Sequence, residues 1–139
     1  MTIREYILID TDILIDLSRN IKLAVDFVES AAKKSLLTAS SVTKMELIVG
    51  CRNKVELKNL NTFLLHFQVI NLNSQISEIA IELLSKYRLS HGLLIPDALI
   101  AATAISENCS FATKNIKDYQ FIEGLNLLTY PSSKKGKEQ

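Results

Sequence analysis

The sequence has no apolar run approaching the roughly 18 residues that would suggest a membrane span, although 47% of its 139 residues are hydrophobic. Its first residues, Met1-Thr2-Ile3-Arg4-Glu5, lack the long apolar stretch and small-residue cleavage site of a signal peptide. Only two cysteines occur, Cys51 and Cys109. They give neither a disulfide framework nor CxxC metal spacing. These absences predict a protein of the reduced cytoplasm, away from membranes, whose thiols are small packing groups. A surplus of charge is missing too: 16 basic side chains face 15 acidic ones, for a net +1. No global field argues for or against a nucleic acid, so a phosphate-bearing partner would need a local patch or metal ions. His66 and His91 have no ligand-like spacing. No repeat or interior linker divides the chain, and its length favours one domain. That domain is expected over residues 1–131. The polar residues 132–139 are expected to be a frayed tail; as a weaker alternative, Lys134, Lys135 and Lys137 touch a nucleic-acid backbone.

What the chain does have is acids at unusual junctions. Asp10 ends the apolar run Tyr6-Ile7-Leu8-Ile9, Glu46 sits within Ser41-Val42-Thr43-Lys44-Met45-Glu46-Leu47-Ile48, and Asp97 follows Ile95-Pro96 and precedes Ala98-Leu99-Ile100-Ala101-Ala102. A chain this apolar has little reason to put carboxylates at such places for stability alone. Gathered together they would make an all-oxygen site suited to Mg²⁺ or Mn²⁺.

Periodicity places them on a fold. Residues 5–10 read as a buried strand, and Thr11 or Asp12 can cap a helix to about residue 19. Helices are expected over 21–33, 41–50, 54–66, 74–89 and 97–107. Ser40 or Ser41 caps the third of the six helices, Gly50 stops it, Gly92 breaks the pattern after the fifth, and Pro96 suits a first helical turn. Further strands are expected at 36–39, 67–72, 110–113 and 125–130. Alternation of this kind predicts an α/β/α sandwich around a mostly parallel sheet. Asp10 then falls at the carboxyl end of the first strand, the edge where open parallel sheets bind ligands. Thr113, Asn115 and Asp118 follow another strand. If the helices carrying Glu46 and Asp97 pack beside the first strand, four acids converge. That arrangement is costly without cations, because clustered carboxylates raise one another's pKa.

Four segments carry a family resemblance: Ile9-Asp10-Thr11-Asp12-Ile13-Leu14-Ile15-Asp16, the Glu46 helix closed by Gly50, Ile95-Pro96-Asp97-Ala98-Leu99-Ile100-Ala101-Ala102, and Ala112-Thr113-Lys114-Asn115-Ile116-Lys117-Asp118-Tyr119. In this order the chain resembles the PIN-domain family of metal-dependent ribonucleases, and within it the VapC-type toxins of toxin–antitoxin pairs. The resemblance implies an endoribonuclease that hydrolyses RNA phosphodiester bonds with Mg²⁺ or Mn²⁺. It implies Asp10, Glu46, Asp97 and Asp118 as catalytic residues and Asp10, Asp97 and Asp118 as metal ligands, with Glu46 a ligand or an orienter of the attacking water. Thr113, Asn115 and Asp12 are auxiliary. Asp12 either caps the first helix or accepts hydrogen bonds behind the ligands. Asn115 stands where some family members carry an acid; Asp118 is the acid available. Tyr119 replaces the more usual phenylalanine and is expected to pack. Asp16 is expected on a solvated helix face, and His91 in a loop near the substrate. A small antitoxin that covers the cleft and a homodimer are further implications.

Two other functions compete. Asp10-Thr11-Asp12 mimics the Asp-x-Asp signature of haloacid-dehalogenase-type phosphotransferases, with Asp10 as nucleophile and Lys114 as the later lysine, but the adjacent acid pair of that class is missing. The other is a non-catalytic PIN-like binding module.

Overall fold

In the computed structural model, which describes residues 5–130, the apolar run at the start of the chain becomes β1 (Glu5–Ile9). Side chains alternate across a strand, and β1 uses both faces. Leu8 enters one hydrophobic core, while Ile7 and Ile9 enter another. A strand buried on both faces belongs at the centre of a parallel sheet, and β1 is there. It is flanked by β2 (Ser35–Ser40) and β4 (Ser110–Ala112), with β3 (Gln68–Ile70) and β5 (Asn126–Leu128) outermost, in the order β3-β2-β1-β4-β5. All four pairings are parallel.

Helices cover both faces. α5 (Ser74–His91) and α6 (Ile95–Ser106) pack with Leu8 and Phe111 through Ile76, Ala80, Leu83, Ala98, Ile100 and Ala101. On the opposite face α1 (Thr11–Ser18), α2 (Lys22–Ala32) and α4 (Lys54–Leu64) contribute Ile13, Leu14, Ala24, Val28 and Leu64 around Ile7, Ile9 and Ala39. α3 (Ser41–Val49) bridges the layers, with Val42 in the first core and Leu47 against the second. α6 is apolar almost all round, as a buried helix must be. Its alanines let it lie close to the sheet, which brings Asp97, in its first turn, near the carboxyl ends of the strands. The three layers and the parallel sheet are those expected from the alternating pattern.

Differences from the expected boundaries are local. The cap of α1 is Asp10, not Thr11 or Asp12. Asp10 has the extended backbone of a cap (φ −70°, ψ 157°) and its carboxylate accepts from the Thr11 N–H, whereas Thr11 and Asp12 are already helical. Ser40, not Ser41, caps α3 by accepting from the Val42 N–H at 3.0 Å. The strand expected over 67–72 shortens to three residues, and the last strand likewise. Asp97 does not open its helix but sits third in it, behind Ile95 and Pro96. Of the two cysteines, Cys109 is buried and Cys51 half-buried, and both are free thiols. The expected tail at 132–139 lies outside the described residues. Among those described, no helix is long and apolar enough to cross a membrane.

The chain leaves β1 toward β2 and β3, then returns to the other side of β1 for β4 and β5. This reversal opens a crevice at the carboxyl ends of β1 and β4, the usual ligand position in open α/β sheets. Asp10 and Thr113 stand on its two sides, and the Asp10 N–H donates to the Ala112 carbonyl at 2.9 Å, extending the ladder one residue past β1.

Gly92 sets how α5 hands over to α6. It holds φ +71°, and its N–H donates to the Arg88 carbonyl at 2.8 Å. A Cβ there would meet nothing within 4 Å, so the cost of Gly92→Ala is a backbone cost of about 1–2 kcal/mol. Urea unfolding should show a lower midpoint with an unchanged m-value.

Candidate active site

A cavity of about 280 Å³ opens at the crevice, lined by Asp10, Thr11, Asp12, Ile15, Glu46, Asp97, Asn115, Asp118 and Tyr119. All four acids expected to converge are therefore on one wall or another of it, with Asp12 and Asn115. Five carboxylates and no basic side chain line the space.

Asp10 forms its buried floor, 4% exposed. One oxygen accepts from the Thr11 N–H at 2.9 Å and the other from the Thr113 hydroxyl at 2.7 Å. Thr113 is itself fully buried and accepts from the Asn115 N–H at 3.0 Å. Burial pushes the Asp10 carboxyl up to about 6, the two hydrogen bonds oppose that rise, and the charges of Asp12 and Asp97 add to it. Asp97 is half-buried and is also held above the ordinary carboxylate range, first by burial and then by Asp118, Glu46 and Asp12. Its Oδ1 accepts from the Tyr119 hydroxyl at 3.1 Å, which works in the opposite direction.

Glu46 and Asp118 sit at the exposed rim. Glu46 Oε1 accepts from the Thr11 hydroxyl at 2.6 Å. The Thr43 hydroxyl lies 2.9 Å from that of Thr11. A hydroxyl has one proton, so Thr43 donates to Thr11 and Thr11 donates to Glu46. Asp12 neither caps α1 nor stands free: one of its oxygens accepts from the Asn115 side-chain amide. Asn115 thus ties the loop after β4 to the first turn of α1.

Two expected placements change, and one holds with an added contact. Asp16 is not simply solvated; it pairs with Lys114 Nζ at 2.7 Å, and Lys114 does not line the cavity. His91 stacks on Phe121 with ring centroids 4.2 Å apart and stays out of the cavity lining, and His66 is bonded to the Phe63 carbonyl within its own turn. Tyr119 does pack, edge-on to Phe111 at 4.8 Å, but it also reaches Asp97. Sequence reading missed this contact, and missed Thr43 behind Thr11. The one available signal was polarity: a hydroxyl at a position that buries must find a partner.

An all-oxygen set of five carboxylates suits a hard divalent cation. With no basic side chain in the lining, the repulsion inside the cavity is opposed by protein dipoles alone. Among the described residues no three acids, histidines or cysteines already stand at ion-holding distance, so the acids surround the space and do not meet at a point. The donor chemistry fits a metal; side-chain rotation at the rim would be needed to complete a ligand set.

Fold and cavity together define a parallel α/β/α domain with an acidic site where its sheet reverses. The chain belongs to the PIN domain family, whose profile matches residues 7–121. It is similar to Ribonuclease VapC10 of Mycobacterium tuberculosis (strain CDC 1551 / Oshkosh), with 35% identity over 120 residues that cover 86% of this chain and 90% of that protein. Among solved structures it resembles VapBC2 from Rickettsia felis bound to a promoter DNA fragment, with a TM-score of 0.77 and 27% identity, over 88% of this chain and 96% of that one. A toxin–antitoxin complex from Klebsiella pneumoniae matches with a TM-score of 0.72 and 33% identity, over 88% and 95%.

The Asp10 carboxyl gives a pH signature. Its ordinary value is 3.8 and its folded value about 6, so between these the folded state holds a proton that the unfolded state has lost. Stability of the metal-free protein should therefore fall as pH rises through this window. The full loss, about 3 kcal/mol for some two pKa units, should persist at pH 7. Asp10→Asn should flatten this part of the profile and raise the melting temperature in chelator at pH 7 but not near pH 4, as followed by circular dichroism.

Proposed function

We propose that this protein is the toxin ribonuclease of a toxin–antitoxin pair, an endonuclease that hydrolyses RNA phosphodiester bonds with Mg²⁺ or Mn²⁺. The observation that carries the proposal is the cavity itself: Asp10, Asp12, Glu46, Asp97 and Asp118 line one space with no basic side chain among them. Similarity to a ribonuclease over most of both chains supports the reaction class.

Asp10, Asp97 and Asp118 are the residues that would hold the cation. When bound it neutralises charge on the phosphodiester and acidifies the attacking water. Asp10 is the rigid member, because both its oxygens are oriented by Thr11 and Thr113. Glu46 has Oε1 fixed by the Thr11 hydroxyl, which leaves Oε2 to orient the water and accept its proton as the new P–O bond forms. The old P–O bond breaks toward the departing ribose oxygen, which takes up a proton. No covalent enzyme intermediate is involved. A phosphotransferase using Asp10 as nucleophile is disfavoured, since Lys114 is paired with Asp16 and does not line the cavity. A non-catalytic module is disfavoured by the presence of the three core acids Asp10, Glu46 and Asp97 around one cavity.

The same reading gives the chain a small antitoxin partner, a homodimer and a cytoplasmic location. Similarity to toxin–antitoxin complexes supports the partner. A largely apolar cavity of about 760 Å³ between α5 and α6, where Leu94 and Ile95 are 55% and 64% exposed, is a surface of the kind proteins cover by association and supports the antitoxin and the homodimer alike.

Asp97→Asn keeps the shape of the side chain and removes its charge. Cleavage of a structured RNA in Mn²⁺ should be almost abolished with the circular dichroism spectrum unchanged, whereas Asp16→Asn should reduce it far less. Wild-type cleavage by purified Asp97→Asn would sink the assignment. The rim is tested separately. Asp118→Ala should raise the Mn²⁺ concentration needed for cleavage more than Asn115→Ala does, because Asn115 supplies a tether to Asp12 and no charge. The reverse order would give the fourth position to Asn115.

A further inference from the structure

The Tyr119 ring is 2% exposed and wedged edge-on against Phe111 of β4. Its N–H donates to the Ile116 carbonyl at 3.1 Å. Ring and backbone are therefore held by the core, and the hydroxyl has little freedom. It donates to Asp97 Oδ1 at 3.1 Å, across the cavity from the loop that carries Asn115 and Asp118 to the first turn of α6.

We propose that Tyr119 is a positioning residue for Asp97, whose buried phenol occupies one carboxylate oxygen and leaves the other for the divalent cation. The proposal rests on the metal reading of the cavity. A neutral donor suits the role. It orients the carboxylate without cancelling the charge that a cation needs, which Lys or Arg in the same place would do.

Tyr119→Phe deletes the hydroxyl and keeps the ring. Isothermal titration with Mn²⁺ in the absence of RNA should show affinity lowered by roughly 10-fold, the lower end of what removing a ligand's supporting hydrogen bond costs. The melting transition in chelator should stay at the wild-type position. An unchanged Mn²⁺ affinity would overturn the proposal. So would a loss of affinity accompanied by a collapsed or lowered metal-free transition, because the residue would then be acting through the fold. If wild type itself takes up no Mn²⁺, the metal reading fails in the first titration. If wild type binds and the variant binds equally well, only the role of Tyr119 fails.

Discussion

Repulsion among carboxylates is the constraint around which this molecule is arranged. Asp10 is almost wholly removed from water and shares its cavity with four other acids. Left alone, such a group protonates or drives the structure apart. The chain counters with dipoles, not with opposite charges. A backbone N–H and a threonine hydroxyl face Asp10, a threonine faces Glu46, a phenol faces Asp97 and a side-chain amide faces Asp12. Each orients an acid and leaves its charge in place. Lys114, on the loop that carries Asn115, is held outside the cavity by Asp16. A site held in this way keeps its appetite for a cation at some expense in stability.

The positions of the acids follow from the sheet. β1 is central, so the residue after it is surrounded on every side, and a carboxylate there is buried by construction. β4 joins β1 at the place where strand order reverses, which sets Thr113 opposite Asp10. α6 is close to the sheet because its inward side chains are mostly alanine, and this brings Asp97 to the crevice. α3 crosses between the layers and contributes Glu46. Substitutions that thicken α6 would displace Asp97 without touching the cavity.

Much of this was legible in the sequence. The run ending at Ile9, the alanine-rich stretch after Pro96 and the strand before Thr113 announced strands and a buried helix through period and composition alone. Acids at the ends of those elements pointed to one edge of a parallel sheet. Contacts made by turns were not legible. Nothing in local spacing says that the Asn115 amide reaches Asp12 or that the Tyr119 hydroxyl reaches Asp97, since both depend on how the loop after β4 folds over α1 and α6. The cap of α1 is ambiguous in the sequence for a related reason: Asp10, Thr11 and Asp12 all carry a capping side chain, and only the end of β1 decides that Asp10 fills the role.

The hydrogen bond between Thr113 and Asp10 joins residues 103 positions apart. During synthesis, the first acid of the cavity emerges long before the strand that orients it, and contacts so distant in sequence form late because their loop-closure entropy must be met first. Asp97, Asn115, Asp118 and Tyr119 all lie in the last part of the described chain. A ribosome-bound fragment ending before β4 can carry Asp10, Glu46 and Asp97, but it lacks Thr113, which orients Asp10, the Asp118 side of the rim and the Asn115 tether to Asp12. Order of synthesis thus sets when the site can form: the cavity, with lining residues from Asp10 to Tyr119, is complete only after nearly all of the domain has been made.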